Sequence, residues 1–315
     1  MSVWRVLCVV VLFLLKAEDV SSQLEVCGKA PLNPCIVGGH DATVGAWPWQ
    51  VSLQEPHEET KELYHFCGGS LITKDWVLSA AHCFDQSTIL ENLVVVLGRQ
   101  NLTGNDTNGV SKTVMFITKH RNYDPGTSDN DIALLRLLSS VTFSDYIQPV
   151  CLAASNSTLD SGTKTWVTGW SNISNGVVPQ YSNRTSDAPV PVVSNSDCEK
   201  AYSTKHHSIT SNMICAGLLG QGGKDACSGD SGGPMVLLQD SVWVQVGIVS
   251  FGVGCGDKHI PGVYARIPSY QRWISQITSS QPGFVTVRNT SAVGPCSLLL
   301  ALLASSLTLL FHLST

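Results

Sequence analysis

Three side chains of this sequence have the chemistry to make an alcohol attack a carbonyl carbon. Ser231 sits in Gly229-Asp230-Ser231-Gly232-Gly233-Pro234, where the glycines let backbone amides approach a bound substrate. A serine hydroxyl is a poor nucleophile alone, so it needs a base, and the base needs an orienting carboxylate. Both residue types are present, His82 in Ser79-Ala80-Ala81-His82-Cys83 and Asp131 at the head of Asp131-Ile132-Ala133-Leu134-Leu135. Each motif also has a plainer reading when taken singly. A serine between glycines is most often a turn. A histidine beside a cysteine is more often a packed core residue or a metal ligand, and an aspartate before an apolar run can simply end a loop. His82 has no second His or Cys at a zinc-finger spacing, which argues against the metal. The span from Leu97 to Val114 contains no glutamate and only one aspartate, Asp106, a poor donor set for calcium. No metal and no cofactor is expected.

These motifs must be positioned by the segment between two end regions of different character. Val6 to Leu15 is apolar after Arg5, and Val20-Ser21-Ser22 offers small residues for cleavage, so residues 1–22 read as a secretory signal peptide. A run of that length is too short to span a bilayer, which takes roughly 20 residues. At the other end, Leu298 to Leu313 is mostly apolar and no Lys or Arg follows it. With small residues at Ser291 and Ala292 ahead, residues 298–315 look like the tail of a glycosylphosphatidylinositol signal, and residues 279–297 like the linker that holds the attachment site. An uncleaved single-pass tail is the other reading. Asn289, Ser291 and Gly294 are all conceivable attachment residues. N-glycan acceptor sequences at Asn101, Asn105, Asn156, Asn172, Asn183 and Asn289 fit a chain that meets the cell exterior. The net charge of -5 is mild, and no basic run suits a nucleic acid.

Between the ends, short apolar runs alternate with Gly, Asn, Asp and Pro turns. Strands are predicted at Trp49–Leu53, Trp76–Ala80, Leu93–Leu97, Val114–Lys119, Thr165–Trp170, Val242–Ser250 and Gly262–Ile267, an all-β pattern. One helix is predicted, capped by Ser269, with Tyr270, Trp273, Ile274 and Ile277 on one face.

With His82, Asp131 and Ser231 in that order, the chain resembles the trypsin-like serine proteases of the chymotrypsin fold, and its layout is similar to that of the membrane-anchored prostasin and testisin type. The resemblance covers roughly Cys27 to Ile277. It implies two packed antiparallel six-stranded β-barrels with a C-terminal helix, a protease domain at 36–278 and a propeptide at 23–35. It implies His82 as base, Asp131 as its orienting partner aided by Ser250, and the amides of Gly229 and Ser231 as an oxyanion hole. Asp225 would lie at the base of the substrate pocket and favour Arg or Lys, with Gly252 and Gly262 on the walls. Phe251 stands where many relatives have Trp. Implied partners are protein substrates cut after Arg or Lys, protease inhibitors, and a membrane through the C-terminal anchor.

Eleven cysteines in a secreted chain suggest disulfides, but their connectivity cannot be read from spacing. The resemblance implies Cys67 with Cys83, Cys198 with Cys215, Cys227 with Cys255, and Cys27 with Cys151 tethering the propeptide. A further bridge of many relatives would fall at Thr165 and Leu237, and both of its partners are absent. Cys8 and Cys296 leave with the signal and the tail, so Cys35 is the odd one out. In relatives a basic residue precedes a sequence like Ile36-Val37-Gly38-Gly39, and cleavage there frees an amino group that pairs with Asp230. Here Cys35 takes that place. Two functions therefore compete: a membrane-tethered endopeptidase, and a catalytically silent, zymogen-like surface module that binds partners. A soluble digestive-type protease would require the apolar tail to be accidental.

Overall fold

A computed structural model describes residues 27–33, 42–102, 107–170, 186–205, 207–221, 229–253, 257–278 and 282–288. Both predicted barrels are present. The first closes in the order β1 (Gln50–Pro56), β2 (Leu63–Thr73), β3 (Trp76–Ser79), β6 (Ala133–Leu137), β5 (Val110–Lys119), β4 (Val94–Leu97), with β4 returning to β1. The second runs β11 (Pro234–Gln239), β8 (Lys164–Gly169), β9 (Ser186–Val193), β10 (Met213–Ala216), β13 (Gly262–Arg266), β12 (Val242–Phe251) and closes by pairing β12 with β11. Every pairing within the two barrels is antiparallel. Two short strands, β7 (Cys151–Ala153) and β14 (Phe284–Val285), add in parallel alongside β12.

Each of the seven predicted strands overlaps an observed one, with ends shifted by one or more residues. β5 begins at Val110, four residues ahead of the predicted start, because Ser111, Lys112 and Thr113 hide the alternation on a face open to solvent. β2 was not predicted at all. Its Gly68-Gly69-Ser70 stretch reads as a turn, yet the glycines are needed where other backbone passes close by: a Cβ on Gly68 would stand 3.0 Å from Gly233 Cα. β9 is disguised by Pro189 and Pro191. Two residues apart, they take their missing donors off one edge of the strand, and the ladder to β8 is kept.

The C-terminal helix α2 (Gln271–Ile277) continues a 3-10 turn over Ile267–Tyr270, so Ser269 lies inside helical structure and does not cap it. The cap prediction fails because Pro268 starts the turn earlier. The predicted face is correct: Tyr270 and Ile274 are buried, and Trp273 and Ile277 pack against the core. A second helix, α1 (Asn195–Tyr202), was missed. Its signal was present, because Ser194 Oγ accepts from the Asp197 amide at 3.1 Å and ties the first turn.

One hydrophobic cluster runs through both barrels, including Trp49, Leu53, Leu78, Leu97, Val236, Val246 and Ile248. Polar links cross it where the barrels meet. Thr168 Oγ1 donates to Gln50 Oε1, and Ser70 Oγ donates to Gln245 Oε1 at 2.7 Å with both side chains buried. Gln50 and Ser70 face each other across β1 and β2, so the register of one hairpin delivers both links. The segment 27–33 lies against the second barrel. Cys27 bonds to Cys151, the Gly28 amide donates to Pro149 O at 2.8 Å, and the Trp243 amide donates to Gly28 O at 2.9 Å. Thr165 and Leu237 are buried without a disulfide, and the Thr165 hydroxyl donates to Val190 O.

Leu78 is fully buried between β2 and β6. Leu78→Ala is expected to destabilise the protein by about 2 to 5 kcal/mol, read as a lower denaturant midpoint at unchanged slope.

Candidate active site

His82 lies in a 3-10 turn, Ala81–Cys83, that follows β3 directly. Ala80 and Ala81 are fully buried and pin the turn, and the Cys67–Cys83 disulfide ties it to β2. Asp131 heads β6 and is 1% exposed. A carboxylate removed from water needs donors, and it has three. The His82 amide donates to Oδ1 at 2.9 Å, His82 Nδ1 donates to Oδ2 at 2.7 Å, and Ser250 Oγ from the end of β12 donates to Oδ2 at 2.5 Å. An ionised carboxylate only accepts, so Nδ1 must carry the proton and Nε2 is left with its lone pair. That is the tautomer a general base requires, on a side chain 30% exposed.

Ser231 is held by its main chain. Its carbonyl accepts from the Gly68 amide of β2 at 2.7 Å, so a strand of the first barrel grips the Ser231 loop of the second. Gly229 and Gly232 have φ of 103° and 80°, the region that favours glycine. At Gly232 a Cβ would stand 2.3 Å from Ser79 Oγ and 2.6 Å from Gly68 O. The Gly232 amide donates to Val249 O at 2.9 Å, one residue before Ser250, so the Ser231 loop is tied to the strand whose serine braces Asp131. Among the described residues no hydrogen bond joins Ser231 Oγ to His82 Nε2.

One further residue shapes this loop, and no local pattern singles it out. His65 of β2 is buried; its Nε2 lies 2.6 Å from Gly229 O and its Nδ1 2.8 Å from Ser52 Oγ. The carbonyl can only accept, so Nε2 carries the proton and Nδ1 accepts from Ser52. The imidazole thus fixes the peptide whose far side presents the Gly229–Asp230 turn. His65 lies on β2, and its partners are 164 and 13 residues away.

Asp230 is buried, and its carboxylate lies against Gly169, where a Cβ would come within 1.8 Å of Oδ1. Ile36, its expected partner, and Cys35 are outside the described residues, as are Asp225, Cys227 and Cys255. Gly262 is buried at the start of β13, opposite Ala216 of β10, and Gly252 is exposed just past β12. The Phe251 ring meets His207 at 5.2 Å and Tyr202 at 5.9 Å. Cys198 bonds to Cys215, joining α1 to β10. Among the acceptor asparagines, Asn156 is exposed and Asn101 half-buried; Asn105, Asn172, Asn183 and Asn289 are outside the described residues. Cys67, His82 and Cys83 lie within 4.8 Å of one another, but the disulfide leaves that cluster one imidazole and no thiolate.

A base-oriented imidazole and a glycine-flanked serine, brought together where two β-barrels meet, define a two-barrel serine hydrolase. Residues 36–274 match the family model described as Trypsin. The chain is 40% identical over 256 residues to a Mus musculus protein named tryptase, covering 78% of this chain and 90% of that one. It is 38% identical over 263 residues to a Homo sapiens protein named serine protease 41, covering 81% and 80%. The chain belongs to the trypsin family and is a serine endopeptidase.

Two predictions follow from this geometry. Gly169→Ala drives a methyl group into the Asp230 carboxylate, so it is expected to lower peptidase activity far more than stability, measured by turnover and thermal unfolding side by side. Burial lowers the His65 pKa, against the backbone bond to Gly229, which raises it. The unfolded chain therefore takes a proton at about pH 6.5 while the folded one does not, and stability falls as pH drops below that value until the folded pKa is reached. His65→Gln is expected to remove one proton's worth of that slope, at most about 1.4 kcal/mol per pH unit, in denaturant titrations from pH 7.5 to 5.

Proposed function

We propose that this protein is an extracellular, membrane-tethered endopeptidase that cleaves proteins after Arg or Lys. The observation that carries the catalytic part is the Ser250–Asp131–His82 chain of hydrogen bonds, which puts the proton on Nδ1 and leaves the Nε2 lone pair as the base. Ser231 Oγ attacks the peptide carbonyl carbon while its proton passes to His82 Nε2. The amides of Gly229 and Ser231 hold the oxyanion, where losing one donor costs about 2.7 to 4 kcal/mol of barrier lowering. His82 then gives its proton to the departing amine, and water, deprotonated by the same imidazole, releases the acyl group. Asp131 fixes the tautomer and stabilises the imidazolium without taking the proton itself.

Asp225 supplies the preference for a basic residue, and Gly252 and Gly262 leave room for its long side chain. Cleavage before Ile36 frees an amino group to pair with Asp230, and Cys27–Cys151 keeps the severed segment attached. The apolar run Leu298–Leu313 supports the lipid anchor. Among the described residues no helix is long and apolar enough to cross a membrane.

One observation favours a second reading, a silent surface module that binds partners or inhibitors. Cys35 gives a trypsin-like activator no basic side chain to hold. The two readings separate when the protein is expressed on cells and treated with a fluorophosphonate probe, with its new amino terminus sequenced. Labelling of chains that begin at Ile36, lost in Ser231→Ala, is the expected result. No labelling after deliberate cleavage of the Cys35–Ile36 bond would establish the silent module instead. In active material Asp225→Ser is expected to remove about 2 to 5 kcal/mol of transition-state binding for Arg and Lys substrates, roughly 30-fold to several-thousand-fold in kcat/KM. Phospholipase treatment of the same cells is expected to release the protein, and retention counts against the lipid anchor.

A further inference from the structure

The chain enters Asp131 through a strained turn. Ser128 and Asn130 both have φ of 57°, a region that costs a residue with a side chain about 1 to 3 kcal/mol and persists only where the surroundings enforce it. Asp129 lies between them, and its carboxylate supplies the enforcement. Oδ1 accepts from Thr210 Oγ1 at 2.6 Å and from Asn212 Nδ2 at 3.2 Å; Oδ2 accepts from Asn212 Nδ2 at 3.3 Å and from Asn130 Nδ2 at 2.9 Å. Thr210 and Asn212 precede β10, in the second barrel. Their loop is itself locked, since Asn195 Nδ2 donates to Thr210 O at 3.1 Å and the Arg266 amide donates to Asn212 O at 2.8 Å.

Residues 129–131 therefore belong to the first barrel by sequence, but both acidic side chains are bonded to the second: Asp129 to the loop before β10, and Asp131 to Ser250 of β12. The imidazole rides on the first barrel and the nucleophile on the second. A slip of 1 Å between such groups can cost about 100-fold in rate.

We propose that Asp129 is a positioning residue for catalysis: it clamps the turn before Asp131 to the Thr210–Asn212 loop, and so aims His82 at Ser231 across the boundary between the barrels. It touches neither substrate nor reacting atoms. The inference rests on the catalytic assignment of His82, Asp131 and Ser231 made above.

The test uses the cleaved full chain, with active sites counted by fluorophosphonate titration. Asp129→Ala is expected to lower kcat per titrated site by about 10- to 100-fold with KM changed less than about threefold. Asp129→Asn keeps an oxygen for Thr210 and Asn212 and is expected to retain most of kcat. Thr210→Val combined with Asn212→Ala is expected to reproduce the loss, and adding it to Asp129→Ala should cost little more, because the same contacts are already gone. A lower melting temperature with unchanged kcat per titrated site would mean a merely structural role and overturn the proposal. So would a change confined to KM, or an Asp129→Asn variant as impaired as Asp129→Ala. A second readout needs no turnover: the NMR signal of the His82 Nδ1 proton shared with Asp131. It should broaden or vanish in Asp129→Ala and persist in Asp129→Asn. An unchanged signal in Asp129→Ala overturns the clamp, whereas absent labelling of the wild type with this pattern intact overturns only the catalytic reading.

Discussion

The carboxylate of Asp131 is the constraint around which the molecule is organised. It is 1% exposed, and a buried anion is tolerable only when donors replace the water it has lost. Two of its three donors come from the His82 residue and one from Ser250, on the far barrel. The same bonds choose the imidazole tautomer and register one barrel against the other. Placing the negative charge and orienting the imidazole are thus a single physical problem. The field of this carboxylate reaches its neighbours: burial first, and then Asp131 and Asp124, push the Tyr123 pKa up to about 12.

The Ser231 loop answers to the opposite requirement, close approach of backbone to backbone. Ser231 O meets the Gly68 amide, Gly232 has no space for a side chain beside Ser79 and Gly68, and Gly169 clears room for the Asp230 carboxylate. These glycines come from distant parts of the chain. Gly68 and Gly232 meet across the two barrels, Gly169 and Asp230 meet within the second, and His65 adds a buried bond that holds the Gly229 peptide in place.

Elements whose residues alternate plainly could be found by reading along the chain. β12 and β13 are rich in apolar residues, and the stripe of Tyr270, Ile274 and Ile277 marks the face of α2. β2 and β9 could not, because glycine and proline serve there for close approach and edge chemistry, and the same residues elsewhere break strands. The cap assigned to Ser269 was misplaced because Pro268 starts a turn that absorbs it. Ser194 and Asp197 carried a readable capping signal for α1 that a strand-dominated pattern obscured.

By itself the sequence determined the inventory: a serine among glycines, a histidine, an aspartate, their order along the chain, and the all-β alternation of short apolar runs with turns. Those are local properties, set by residue type and spacing. Only the tertiary structure decided that Ser250 and Asp131 share a hydrogen bond across 119 residues, that His65 reaches Gly229 across 164, and that Asp129 is held by Thr210 across 81. Such contacts depend on how two closed sheets dock, and no periodicity along the chain encodes the partner of a side chain that far away.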